Sequence, residues 1–284
     1  MSKLAFVTAL VVPIACCVAM PALAQESERP PRLRDRGTGQ PTSMFGTYIR
    51  AGEFLLYPFF EYYLDHDAEY TPDELGYGLD QDFRGQSHAS EYLVFLAYGI
   101  TDWLAVEFEM ALYTSARLET APEDPTATPA VIEESGTGDV EGQIRVRLAR
   151  ETESHPELFS YFELVSPQQT DKVLIGTPDW EYKLGFGAVR GYSFGTLSAR
   201  VAVEYSMEES TAELGEYGLE YLRRLSPSWR VYLGIEGSQD EVELIPEAQW
   251  HIRTDKVIVK LNSAFGLTSK AADWAPEVGV MFSF

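Results

Sequence analysis

Between about residue 52 and residue 284 the chain repeats one pattern, with apolar residues at every second position and polar or charged residues between them. In 103–113, Leu104, Val106, Phe108, Met110 and Leu112 form one face. Trp103, Ala105, Glu107, Glu109, Ala111 and Tyr113 form the other. Stretches 139–148, 180–189, 197–205, 242–252 and 256–266 share this two-residue period, the period of a β-strand whose two faces meet different surroundings. No long stretch carries a 3.6-residue helical period.

The connections sharpen the picture. Short ones at 99–102, 150–156, 191–194, 226–228 and 253–255 alternate with long or outer ones at 64–87, 116–136, 167–178, 207–213, 238–241 and 268–274. Eleven connections join 12 strands, leaving roughly 19 residues for each strand and its loop, as strands of about 10 residues require. An alternating strand buries one face. A soluble β-sandwich would bury it against a second sheet and leave edges to protect. A membrane barrel turns that face to lipid and must close, because backbone groups in hydrocarbon need partners within the protein. Even strand number, alternating loop length and aromatics near strand ends (Trp103, Trp180, Tyr205, Trp229, Trp250, Trp274) favour the membrane form. The expected fold is all-β: a closed antiparallel transmembrane β-barrel of about 12 strands with both termini periplasmic.

The ends of the chain add an address. Lys3, an apolar run from Leu4 to Met20 and the Ala22-Leu23-Ala24 triplet read as a signal peptide over 1–24, cleaved after Ala24. The run is short for a membrane-spanning helix and contains Pro13; an acylated Cys16 or Cys17 is the lipoprotein alternative. Residues 25–50, rich in Pro, Gly and charge and including Arg29, Arg32, Arg34 and Arg36, are expected to be a flexible periplasmic arm. The barrel would occupy 51–284. Both cysteines fall in the removed segment, which suits a chain that crosses an oxidising periplasm unfolded. The closing "EVGVMFSF" puts Phe284, Phe282, Val280 and Val278 on one face. A terminal aromatic after such a ladder resembles the C-terminal signal of bacterial outer-membrane barrels, which assigns Phe282 and Phe284 to recognition by the barrel assembly machinery. The expected location is the outer membrane of a Gram-negative cell.

The middle of the chain carries a family resemblance. "SGTGDVEGQIRVRLARE" (135–151) and "PELFSYFELVSPQQTDKVLIGTPDWEYKLGFG" (156–187) resemble the putative outer-membrane transporter family named after the meta-pathway of phenol degradation. Gly136, Gly138 and Asp139 match its G-x-G-D strand start; Ser166-Pro167 stands where the family has Pro-Thr-Gly, and Gly176-Thr177-Pro178-Asp179 approximates its third element. Residues 48–284 also resemble uncharacterised proteobacterial outer-membrane proteins. The resemblance implies a barrel in the outer membrane and transport of a small solute.

A net charge of −22 excludes nucleic acid as a partner, since its phosphates would be repelled. With the apolar faces on lipid, the lumen receives Glu107, Glu109, Glu141, Arg145, Arg147, Arg200, Glu204, Glu243 and Glu247, the candidates for charge selectivity in a narrow channel. The alternative is a lumen occluded by ion pairs that only stabilise the barrel. Lipid and lipopolysaccharide are the expected surroundings, with divalent cations bridging phosphates and the acidic outer loops as one option. No cofactor, metal site or catalytic residue is assigned. A hydrolase reading would use Asp65, His66 and Asp67 with His88, because a paired Asp and His can activate water. No H-E-x-x-H occurs, and His155 and His251 lie elsewhere in the pattern.

Overall fold

The computed structural model describes residues 30–44, 46–207, 210–253 and 256–284. The segment 1–24, expected to be a signal peptide, lies outside them. Two two-residue strands come first, β1 (Gln40–Pro41) and β2 (Tyr48–Ile49). The wall follows: β3 (Phe54–Tyr70), β4 (Phe83–Gly99), β5 (Leu104–Glu119), β6 (Val131–Gly136), β7 (Val140–Ala149), β8 (Glu157–Ser166), β9 (Glu181–Tyr192), β10 (Gly195–Ser206), β11 (Thr211–Ser226), β12 (Trp229–Ser238), β13 (Glu241–Arg253), β14 (Val257–Gly266) and β15 (Ala275–Ser283). Sequence neighbours pair antiparallel along the wall, except β6 and β7, which both pair with β5. β15 returns to β3, so the sheet closes.

β6 and β7 share one place in the wall. β5 pairs with β6 through 114–119 and with β7 through 104–110. The wall is therefore a 12-stranded barrel in which one strand is interrupted at 137–139. Closure is completed by the C-terminal residue: Phe284 donates its backbone N–H to the Phe54 carbonyl at 3.0 Å and accepts the Phe54 N–H at 3.3 Å.

The alternation sets which side chains face out. Phe108, Ile144, Leu184, Val201, Leu219, Ile235, Leu261 and Val278 are exposed around the wall, an apolar band of the kind lipid covers. The six aromatics expected at strand ends are all exposed and divide evenly. Trp103, Trp229 and Trp250 stand at the short-turn end; Trp180, Tyr205 and Trp274 stand at the long-loop end. Trp229 and Trp250 stack with ring centroids 6.0 Å apart.

Two features depart from the sequence expectation. β3, β4 and β5 run to 16–17 residues, so the β3–β4 and β5–β6 loops are shorter than 64–87 and 116–136. The added residues include Arg84, Gln86 and Arg117; beyond the apolar band both faces can meet water, so pairing continues without an apolar stripe. The second departure concerns the N-terminal arm. Residues 30–50 enter the barrel instead of remaining solvated: Asp35, Arg36, Gln40 and Ile49 are each at most 3% exposed.

Phe284 also sets its ring 6.2 Å from Phe54, across the seam that closes the barrel. Phe284→Ala is expected to slow insertion and lower the heat-modifiable folded fraction in a refolding time course. Wild-type rate and yield would contradict a role for this residue in closure.

The charged lumen as candidate functional site

The arm forms a plug at the short-turn end. Gln40 and Pro41 pair with Ile49 and Tyr48. The tip between them is held by Thr42 N–H to the Thr47 carbonyl at 3.0 Å, and Gly46 adopts φ +57°, a conformation glycine takes without the Cβ penalty. Close passage along the wall also needs small residues. A Cβ at Gly191 would lie 2.0 Å from the Arg32 carbonyl oxygen.

Ion pairs seat this plug. The Arg36 guanidinium reaches Glu151 at 2.9 Å and Glu157 at 3.1 Å, with all three side chains at most 4% exposed. Arg147 binds the other oxygen of Glu157 at 3.0 Å. Asp35 accepts the Arg224 backbone N–H at 2.8 Å. At the tip, Ser43 donates both its backbone N–H and its hydroxyl to one Glu107 oxygen, at 2.9 and 2.6 Å. The other Glu107 oxygen lies 3.4 Å from Arg145 Nε. The Arg145 guanidinium sits over the Phe159 and Tyr161 rings at 5.1 and 4.9 Å. Burial without such partners would be costly for each of these charges.

Above the plug the pairs become acid-rich. Lys183 lies 3.1 Å from Glu163, 3.4 Å from Glu216 and 3.9 Å from Glu204. Arg200 meets Glu236, Glu220 and Glu216. Beside the hairpin rather than above it, Lys260 pairs with Glu247 at 3.2 Å. Among the described residues no ion pair reaches Glu109, Glu141 or Glu243.

Among the described residues, several cavities open inside the barrel. An outer vestibule of about 500 Å³ is lined by Glu69, Glu74, Asp80, Asp82, Asp240 and Lys270. It shares Ser238 and Glu241 with a chamber of about 320 Å³ that includes Glu109, Glu141, Glu216 and Glu243, with Ser43 and Met44 of the plug also in its lining. A smaller cavity of about 60 Å³ lies on the other side of the hairpin, against Gly46, Thr47 and Tyr48. The plug thus separates an acidic passage from the short-turn end.

All nine sequence-stated lumen residues belong to inward-facing positions, in two groups. Glu107, Arg145, Arg147 and Glu247 are buried in plug or wall pairs, and Arg200 and Glu204 join the middle pairs. Glu109, Glu141 and Glu243 line the chamber. Sequence reading missed Ser43, Glu151, Glu157, Glu163 and Glu216. The clue was faint: the inner face of 157–165 carries Phe159, Tyr161 and Val165 beside its two glutamates, so both faces of that strand look apolar. For the plug, the available clue was an arginine-bearing arm on a strongly acidic chain.

The hydrolase candidates lie at the long-loop end. His66 Nδ1 is 3.0 Å from Asp273, which also accepts the His66 backbone N–H at 3.0 Å. These two bonds hold the Asp273 carboxyl below the usual carboxylate range. Both side chains are more than half exposed, and Asp65 instead accepts the Asp67 N–H at 2.9 Å.

No protein-family model and no curated protein sequence matches the chain. Among solved structures, an outer membrane channel from Pseudomonas putida F1 superposes with a TM-score of 0.59 at 15% identity, covering 83% of this chain and 97% of its own. Weaker overlaps are the translocator domain of the autotransporter NalP from Neisseria meningitidis (TM-score 0.43, 11% identity, 83% and 90% covered) and the toluene transporter TbuX from Ralstonia pickettii (0.41, 9%, 83% and 90%).

If buried charge seats the plug, its two anchors differ in strength. Breaking a buried ion pair from one side costs about 3–5 kcal/mol, whereas a hydrogen bond to a charged group is worth about 1.5–3 kcal/mol. Arg36→Ala should therefore accelerate amide exchange throughout 32–49 far more than Ser43→Ala, whose effect should stay near the tip. Hydrogen exchange with mass spectrometry reads both. Equal, unchanged protection in the two variants would contradict the assignment. The fold is that of the outer-membrane barrels.

Proposed function

We propose that the protein is a narrow outer-membrane channel for small solutes, with the N-terminal hairpin as its constriction and the carboxylates above it as its charge filter. The observation that carries this reading is the acidic chamber: it joins an outer vestibule on one side and ends on a noncovalently seated plug on the other. A cleft lined by one sign of charge focuses counter-ions and raises their arrival rate by about 10–10³, so cations gather there first. The fold shared with the Pseudomonas channel supports the outer membrane as the location. Orientation follows from the same reading, with both termini and the short turns periplasmic and the long loops facing lipopolysaccharide. Export through a cleaved signal peptide, recognition of Phe282 and Phe284 by the assembly machinery, and membership of the putative phenol-pathway transporter family belong to this proposal too. The charge-selective role passes chiefly to Glu109, Glu141 and Glu243, because Arg145 and Arg147 are engaged beneath or beside the plug.

The ion-paired, plugged short-turn half also fits an occluded barrel that only supports the envelope, and one experiment separates the two. In planar bilayers the wild type should show small, cation-preferring steps, and deletion of residues 30–49 should raise conductance severalfold. Replacing Glu109 and Glu141 by Lys should move the reversal potential toward anion preference. If neither the wild type nor the deletion variant conducts while both run as folded, heat-modifiable barrels, the channel reading fails.

A further inference from the structure

We infer that the outward face of the β9–β10 turn, with the adjoining end of β11, is a binding site for the headgroup of an anionic phospholipid in the leaflet around the short turns. Strand alternation puts Arg190 and Tyr192 on the lipid-facing side of β9, in phase with the exposed Leu184 and Phe186. On β11 it puts Tyr221, Arg223 and Leu225 there, in phase with the exposed Leu219. The register joins the two strands, since Arg190 pairs with Leu197 and Leu197 with Tyr221. Arg223 faces Val231, one outward position from Trp229, so both arginines stand near the level of the short-turn aromatics. An arginine on the lipid face of a barrel costs little near the headgroups and much more at the midplane. At headgroup level, lipid phosphates supply the acceptors that hydrocarbon lacks.

The side chains form a connected platform. The Arg190 guanidinium lies over the Tyr192 ring at 5.8 Å, and that ring stacks on Phe194 with centroids 5.0 Å apart. The Tyr221 hydroxyl donates to the Phe194 carbonyl at 2.6 Å, and Arg223 donates to the Ser193 carbonyl at 2.9 Å. Arg34 of the plug donates to the same Ser193 carbonyl. Two basic points thus flank an exposed aromatic pair. The charge around them is unbalanced. Among the described residues no ion pair reaches Arg190, and Glu153 offers it only a backbone carbonyl, at 2.9 Å. Arg34 and Arg223 share one buried carboxylate, Asp35, at the long distances of 3.8 and 3.9 Å. Three guanidiniums against one carboxylate attract an anion, and their planar forks match phosphate oxygens. The exposed rings and Leu225 suit the glycerol and upper acyl region beside it. A lipid with two phosphates, such as cardiolipin, engages both basic points at once. The inference rests on the outer-membrane reading above for its leaflet and is independent of conduction.

Native mass spectrometry of the purified barrel, released from detergent micelles holding equimolar cardiolipin and phosphatidylethanolamine, tests it. The expected result is one retained cardiolipin per barrel, preferred at least tenfold over phosphatidylethanolamine. That preference should fall at least fivefold in Arg190→Gln/Arg223→Gln. Arg190 makes no contact with the plug, so Arg190→Gln alone keeps the test decisive if the double variant fails to fold; a twofold or larger fall is expected there. Arg150, exposed at the same end and paired with Asp102, is the control, and Arg150→Gln should keep the wild-type preference. No preference for cardiolipin in the wild type, wild-type preference in the folded Arg190→Gln and double variants, or an equal fall in Arg150→Gln would overturn the assignment. A folded barrel that conducts but shows no lipid preference would overturn this site and leave the channel reading standing.

Discussion

Backbone pairing without water is the constraint on which the remaining structure depends. In hydrocarbon every N–H and C=O of the wall needs a partner within the protein, and an open sheet cannot provide it at its edges. The chain meets the requirement by returning β15 to β3 and by using its last residue, Phe284, in a two-way backbone bond with Phe54. Closure then assigns the side chains. One face of every strand is committed to lipid and the other to an interior of fixed width, so the charges between the apolar residues have nowhere to go except inward.

That inward charge is what the N-terminal segment answers. A 12-stranded wall encloses more space than its side chains fill, and its inner carboxylates near the short turns need cations. Arg36 inserts between Glu151 and Glu157 beside Arg147, and Ser43 satisfies Glu107 at the hairpin tip. The plug and the wall are each incomplete without the other. Higher up the balance changes: Lys183 and Arg200 are shared among several glutamates, and the chamber beyond them stays acidic. Polarity along the axis comes from this uneven pairing, with paired charges around the hairpin and carboxylates above it.

Much of the barrel was legible in the sequence because it is a local pattern. A two-residue period survives in every strand, and the aromatics at strand ends report the edges of the apolar band. The register at the C-terminus could be read outright: Val278 and Phe284 face outward, and Met281 is buried within. What alternation could not convey was anything beyond the strand repeat. The extensions of β3 to β5 meet water on both faces and lose the apolar signal, and the interruption between β6 and β7 breaks a strand without changing its partner. The lumen was half legible. Inward direction followed from register for all nine candidates, but their sorting into plug anchors and chamber carboxylates depends on residues 30–50, whose composition resembles a solvated tail. Such a segment is held by ion pairs and hydrogen bonds to distant strands, and no periodicity records those.

The central claim, that the hairpin tip forms the floor of a water-filled passage, has a direct test. The chain has no cysteine after Cys17, so Met44→Cys places a single thiol at the chamber floor. Single-channel current is recorded in a bilayer before and after adding a small, positively charged, thiol-reactive reagent to the long-loop side. The account predicts a discrete and lasting drop in current in the variant and none in the wild type. An unchanged current, with mass spectrometry showing the thiol modified, would place the hairpin outside the conducting path and contradict it.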